Sequence, residues 1–176
     1  MRLQNKIAIV TGAGQGLGRA ISLKLAEAGA TIIIADINLE SSAETAALIK
    51  KQFSRESMVV MTDIRQEDAV IHLASEAKKT FGGLDILVNN SGIAGPRAAI
   101  EDIALAEWNE SIEVNLTGVF LMCKYFAPML KAKEKSFIVN IASAAGMRPR
   151  LMRMPYVATK AAILAVTKAM AMEFGP

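Results

Sequence analysis

The sequence predicts an α/β protein built as a doubly wound parallel sheet, covered on both faces to give three α/β/α layers. Three observations carry that reading. Short, β-branched, almost wholly apolar runs alternate along the chain with longer stretches of helical spacing. Runs that are apolar at every position are expected to be buried on both faces, which a parallel sheet between two helix layers provides. The glycines, asparagines and acids gather just after those runs, at the carboxyl ends where such sheets bind ligands. Right-handed crossovers then make the sheet doubly wound.

Residues 6–10 form the first predicted strand, ahead of a glycine-rich turn and an amphipathic helix over 16–28. Thr-Ile-Ile-Ile-Ala at 31–35 is a continuous apolar strand closed by Asp36, followed by helical spacing over 39–53. A third strand over 58–61 ends at Thr62-Asp63, and 66–81 is helical. The fourth strand, 84–88, runs into Asn89-Asn90-Ser91-Gly92. Residues 107–131 read as one long helical region with a break near Asn115, where a weak helix former marks a bend. A fifth strand at 137–141 and a last helix at 156–174 complete the order. Without repeats or a low-complexity linker, one domain over residues 1–176 is expected.

With 52% hydrophobic and 21% charged residues the chain can bury a core and is not disordered. No apolar run is long enough to span a bilayer, and the first residues lack a cleavable leader pattern, so a membrane partner is not expected. The single Cys123 excludes an internal disulfide and fits a cytoplasmic setting. Its neighbours Phe120, Leu121, Met122, Tyr125 and Phe126 make it a packed thiol rather than a nucleophile. A net charge of +3 without a basic helix or aromatic platform gives no nucleic-acid surface. No metal site is expected.

The turn Thr11-Gly12-Ala13-Gly14-Gln15-Gly16-Leu17-Gly18 lies between a strand and a helix. A dinucleotide pyrophosphate needs close backbone approach, exposed N–H groups and the positive end of a helix, and glycines at these positions provide all three. The spacing of Gly12, Gly16 and Gly18 is GxxxGxG, not the common GxGxxG. A carboxylate eighteen residues after Gly18, at Asp36, can accept both ribose hydroxyls of an adenosine and would repel a 2′-phosphate. Neither Gln15 nor Ile37 supplies a cation for that phosphate, although Arg19 is near. The cofactor expected is therefore NAD, ahead of NADP, on a Rossmann-like sheet. Asp63 either meets an adenine amino group, with Ile64 as an apolar wall, or simply forms the turn. Asn89 and Asn90 can hold strand ends in register, and Gly92 lets the chain pass close to a ribose. Gln15 and Leu17 complete the cofactor-binding set.

Tyr156 and Lys160 lie four residues apart on a predicted helix, on one face. A neighbouring ammonium favours the phenolate, and a phenol so lowered can pass a proton to or from a substrate oxygen. Ser143, thirteen residues before Tyr156, can donate to the same oxygen. Asn115 either frees a backbone carbonyl for a water that reaches Lys160 or is a helix cap.

Taken together, Thr11-Gly12, Gly16, Gly18, Asp63, Asn89-Asn90-Ser91-Gly92, Asn115, Ser143, Tyr156 and Lys160 resemble the short-chain dehydrogenase/reductase family in order and spacing, over essentially the whole chain. Ser91 departs from the usual Asn-Asn-Ala-Gly. The resemblance implies reversible hydride transfer between a nicotinamide and a secondary alcohol or ketone, with oxidation faster at higher pH. It makes Tyr156 the general acid/base, and Lys160 the group that lowers its pKa and bonds the nicotinamide ribose. Ser143 would polarise the substrate oxygen and Asn115 would anchor a proton-relay water. It also implies a homodimer or homotetramer, packed through the long helical region and the last helix. Alternatives are a 3-oxoacyl-carrier-protein reductase and a non-catalytic NAD-binding fragment. The family usually continues past a Glu-Phe-Gly-Pro-like helix end, so the chain is expected to be truncated at its C-terminus, with the last strands missing. The fifth strand would then be an apolar edge, and the chain alone insoluble or less active than a longer form. Finally, Arg148, Arg150 and Arg153 precede Tyr156 in a methionine-rich loop. They either grip an anionic substrate or point outward to solvent or a subunit contact.

Overall fold

The computed structural model describes residues 2–175. Five parallel strands, β1 (Ile7–Thr11), β2 (Thr31–Asp36), β3 (Ser57–Met61), β4 (Ile86–Asn89) and β5 (Phe137–Asn140), pair in the order β3-β2-β1-β4-β5. The chain builds outward from β1 to β3, then returns to the other flank of β1. That reversal leaves a crevice at the carboxyl ends of β1 and β4.

The isoleucine runs explain the layering. Successive strand side chains face opposite sides, so one run feeds two cores. Ala8, Val10, Ile32, Ile34, Ile86 and Val88 meet Ala26 of α1 (Gly16–Glu27) and Ile49 of α2 (Leu39–Phe53). Ile9, Ile33 and Leu87 face the other way, onto Leu73 of α3 (Glu67–Phe81), Met122 and Phe126 of α5 (Gly118–Lys131), and Ile163 of α6 (Met154–Phe174). Cys123 is buried in that second core and accepts a hydrogen bond from Asn89 Nδ2 at 3.3 Å. Burial pushes its thiol up to about 11, so it stays protonated, as a packed core thiol should.

Besides shifts of one residue at several element ends, the structure differs from the sequence reading in these details. β4 runs from Ile86; Leu84 is buried without joining the ladder, and the first backbone bonds to the neighbouring strands come from Asp85, whose N–H donates to Ile7 O and whose carbonyl accepts the Phe137 N–H. The Asp85 carboxylate accepts the Ile7 N–H at 3.0 Å and the Lys6 ammonium at 2.8 Å, which ties the amino ends of β1 and β4 together. The long helical region begins earlier, at α4 (Leu105–Ile112), and is joined to α5 by a π-turn, Glu113–Thr117. There the Gly118 N–H reaches back five residues to Glu113 O. The last helix starts at Met154, since Pro155 in its first turn lacks only an N–H that would have no helical partner. The strands at the sheet margins are not buried on both faces, and on β5 Phe137 and Val139 are 59% and 46% exposed.

Candidate active site

A cleft of about 990 Å³ runs across the carboxyl ends of the strands, bordered by Gly12 after β1, Asp36 at the end of β2, Asp63 after β3, Asn90 after β4 and Ser143 after β5. Gly12 takes φ +63°, and a side chain on Gly18 would put Cβ 2.1 Å from Gly12 O. The turn can be this tight only with glycine at both positions. Gly16, by contrast, has open space where a Cβ would be. Asn90 Nδ2 donates to Thr11 O at 2.9 Å and Gly12 O at 3.2 Å. Thr11 Oγ1 in return accepts the N–H groups of Asn90 and Ser91. The asparagines thus hold the strand ends in register, with Asn89 Nδ2 reaching Asn140 Oδ1 at 2.8 Å.

At the β2 end, Asp36 Oδ2 accepts the Gly14 N–H at 2.8 Å and Oδ1 accepts the Asn38 N–H at 3.0 Å. Gly14 itself has no room for a side chain, whose Cβ would lie 2.3 Å from Ser41 Oγ. The Arg19 guanidinium donates to Gly14 O and Thr45 Oγ1 and pairs with Glu44 at 2.8 Å. It does not border the cleft. At the β3 end, Asp63 accepts the Arg65 N–H at 3.0 Å and pairs with its guanidinium at 2.7 Å. That hydrogen bond holds the Asp63 carboxyl below its ordinary range, against a smaller opposing effect of burial. Asp63 therefore forms the turn and also faces the cleft, beside Ile64.

The other end of the cleft gathers Ser143, Tyr156 and Lys160. Ser143 Oγ accepts the Ala145 N–H at 3.2 Å, opening the short 3-10 turn Ala144–Gly146. A Cβ on Gly146 would come within 2.7 Å of the Lys160 backbone, so this turn lies directly on α6. The Lys160 ammonium donates to Ile141 O at 2.7 Å and sits 5.8 Å from the centre of the Tyr156 ring. Burial lowers the pKa of Lys160 from its usual value. Asn115, in the π-turn, is 1% exposed and does not border the cleft. It is not a cap: its Oδ1 accepts the Ile93 N–H at 2.8 Å, and its Nδ2 donates to Ile93 O at 2.9 Å and Thr159 Oγ1 at 3.2 Å. Its amide therefore locks the segment after Gly92 to the helix that carries Tyr156 and Lys160.

Of the residues named from sequence, Gly12, Gln15, Leu17, Gly18, Asp36, Asp63, Ile64, Asn90, Gly92, Ser143, Tyr156 and Lys160 border the cleft, whereas Gly16 and Asn115 do not. Asn38, Ser41, Arg65 and Glu110 border it as well. Of these, Asn38 had a sequence signal as an N-cap after a strand-end acid, and its side chain does accept the Ser41 N–H. Arg150 and Arg153 border the cleft, and Arg148 does not. Among the described residues no three His, Cys, Asp or Glu side chains gather as metal ligands, and no helix is long and apolar enough to cross a membrane.

The chain is similar to known proteins over nearly its whole length. An uncharacterized oxidoreductase of Thermotoga maritima is 36% identical over 174 residues, covering 99% of this chain and 68% of the relative. A 3-oxoacyl-acyl-carrier-protein reductase of Aquifex aeolicus is 34% identical over 176 residues, covering 100% of this chain and 71% of the relative. The crystal structure of an NAD+-bound xylitol dehydrogenase superposes with a TM-score of 0.96 at 31% identity, covering 100% of this chain and 67% of that one. The chain thus spans roughly two thirds of the length of these proteins. The family profile for short chain dehydrogenase matches residues 6–176, and the chain belongs to that family of oxidoreductases.

Proposed function

We propose that this chain serves the NAD-dependent interconversion of a secondary alcohol and a ketone. The observation that carries the reading is a single cleft with a glycine turn and Asp36 at one end and Ser143, Tyr156 and Lys160 at the other. The cradle fits a dinucleotide: Gly12 and Gly18 allow close backbone approach, and Gly16 leaves the start of α1 open. When bound, a nicotinamide supplies the hydride acceptor in oxidation and the hydride donor in reduction. Tyr156 takes the hydroxyl proton of the alcohol in oxidation and returns it in reduction. The Lys160 ammonium offsets the negative charge that develops on the phenol oxygen and has N–H donors to offer a ribose. The Ser143 hydroxyl donates to the substrate oxygen, and Asn115 holds the elements around them in place. Asp36 supports NAD over NADP, because it faces the cleft while Arg19 is held by Gly14, Thr45 and Glu44 and Arg65, which borders the cleft, is paired with Asp63. The xylitol dehydrogenase neighbour, with NAD+ bound, supports the same choice. A single domain, a cytoplasmic setting and assembly as a homodimer or homotetramer belong to the same reading.

A 3-oxoacyl-acyl-carrier-protein reductase is the second reading, supported by the Aquifex aeolicus relative and opposed by Asp36. A non-catalytic NAD-binding role is opposed by the intact Ser143, Tyr156 and Lys160. The test is Tyr156→Phe assayed with NAD and NADP on a panel of secondary alcohols, alongside NADH fluorescence titration. We expect turnover to fall by at least about 100-fold, with NADH still bound and NAD preferred in the parent chain. Near-native turnover of the variant would sink the assignment.

A further inference from the structure

Arg150 and Arg153 border the cleft that holds Ser143 and Tyr156, Arg150 exposed on the loop before α6. Neither is ion-paired with a carboxylate among the described residues, whereas Arg19 and Arg65 are. Arg153 immediately precedes α6, three residues before Tyr156, and is half-buried. Its Nη1 donates to Ala94 O at 3.2 Å, and its other donors meet no protein partner among the described residues. A guanidinium anchored by one nitrogen with its remaining fork open is preorganised for a planar anion. The acids that border the cleft do not cancel it: Asp36 lies at the opposite end, Asp63 is held by Arg65, and Glu110 lies 4.0 Å from the same Arg65. Apolar side chains accompany the cations, with Met147 and Leu151 70% and 92% exposed on the same loop.

We propose that the substrate is a carboxylate-bearing secondary alcohol or its keto acid, its charge held by Arg150 and Arg153 while its carbon–oxygen bond meets Tyr156. This deepens the oxidoreductase reading and rests on it. A small molecule fits better than an acidic carrier protein. The two cations line the cleft itself, and Arg148, which could extend an outward patch, does not.

The test compares 3-hydroxybutanoate, 4-hydroxypentanoate and 5-hydroxyhexanoate with their methyl esters, at saturating NAD, on the parent chain and on Arg148→Met, Arg150→Met, Arg153→Met and Arg153→Lys. At least one acid should exceed its ester tenfold or more in kcat/KM. Arg150→Met and Arg153→Met should each lower that acid's kcat/KM ten- to a hundredfold and the ester's less than threefold. Arg153→Lys should recover part of the loss, and Arg148→Met should change neither. Equal losses on acid and ester, or no preference in the parent, would overturn the proposal. So would an Arg148→Met effect as large as that of Arg150→Met, which would point to an outward acidic partner. Calorimetry with pentanoate and pentanamide in the presence of NADH decides the matter without turnover. Pentanoate binding that Arg153→Met abolishes supports the anion site even if no alcohol is oxidised, and absent binding overturns it even if NADH binds. Failure to bind NADH and to oxidise any alcohol or ester would instead count against the oxidoreductase reading.

Discussion

Asn115 shows how much one amide can organise. Both hydrogen-bonding groups of the Ile93 backbone, and the Thr159 hydroxyl, end on its side chain. Asn115→Ala would leave both Ile93 backbone groups half-buried without their partner, at a cost of about 1–3 kcal/mol for each that stays unsatisfied, while the Thr159 hydroxyl keeps its bond to Tyr156 O. We expect a lower midpoint in urea together with reduced turnover, since Ile93 lies beside Gly92 and Thr159 beside Lys160. An unchanged midpoint would show that water replaces the amide. The sequence marked Asn115 as a bend and, by resemblance, as the anchor of a relay water, but not its amide contacts, because its partners lie 22 and 44 residues away. Asp36 was legible as a strand-end acid, yet its bond to Gly14 depends on a turn whose shape no local pattern specifies. The arginine loop offered two directions, and only the tertiary structure separates Arg150 and Arg153 from Arg148.

At the scale of elements, the isoleucine-rich strands were readable because full burial on both faces leaves a continuous apolar run. Boundaries were less so. Leu84 looks like strand because it is buried, but backbone bonds to the neighbouring strands begin only at Asp85. That carboxylate gives a pH prediction. Burial alone would raise its pKa, and hydrogen bonds from Lys6 and the Ile7 N–H, with the Lys133 charge, more than reverse this. A folded pKa below the unfolded one stabilises the fold above about pH 4, and that contribution is lost as pH falls through the lower folded value. Asp85→Asn should therefore be less stable than the parent at pH 7 by about 1–3 kcal/mol. The gap should narrow below about pH 4, as followed by denaturation at a series of pH values. A gap independent of pH would remove the charge from the explanation. Activity per folded molecule should be unaffected, because this pair lies at the amino ends of the strands, away from the cleft.

Over the whole molecule, the parallel sheet places its ligand-facing turns along one edge, which is why glycines, asparagines and acids scattered over 150 residues of sequence converge. The layering and this convergence follow from the strand pattern, and Arg65 arrives with Asp63 in the turn after β3, whereas Glu110 reaches the cleft only through the packing of α4. The sheet's outer strand β5 pairs with β4 alone among the described residues and shows Phe137 and Val139 on one face. An outer strand with exposed apolar side chains invites edge-to-edge association. Val139→Lys should therefore reduce light scattering of the concentrated chain while leaving its circular dichroism unchanged. Equal scattering would place the association elsewhere. The π-turn at Glu113–Thr117 has a different reach, since one residue more or less in an α-helix rotates everything beyond it by about 100°. The wide turn is thus a fixed angular offset between two cylinders. A single insertion or deletion there would be felt far downstream, in whether Met122, Phe126 and Leu130 still look inward.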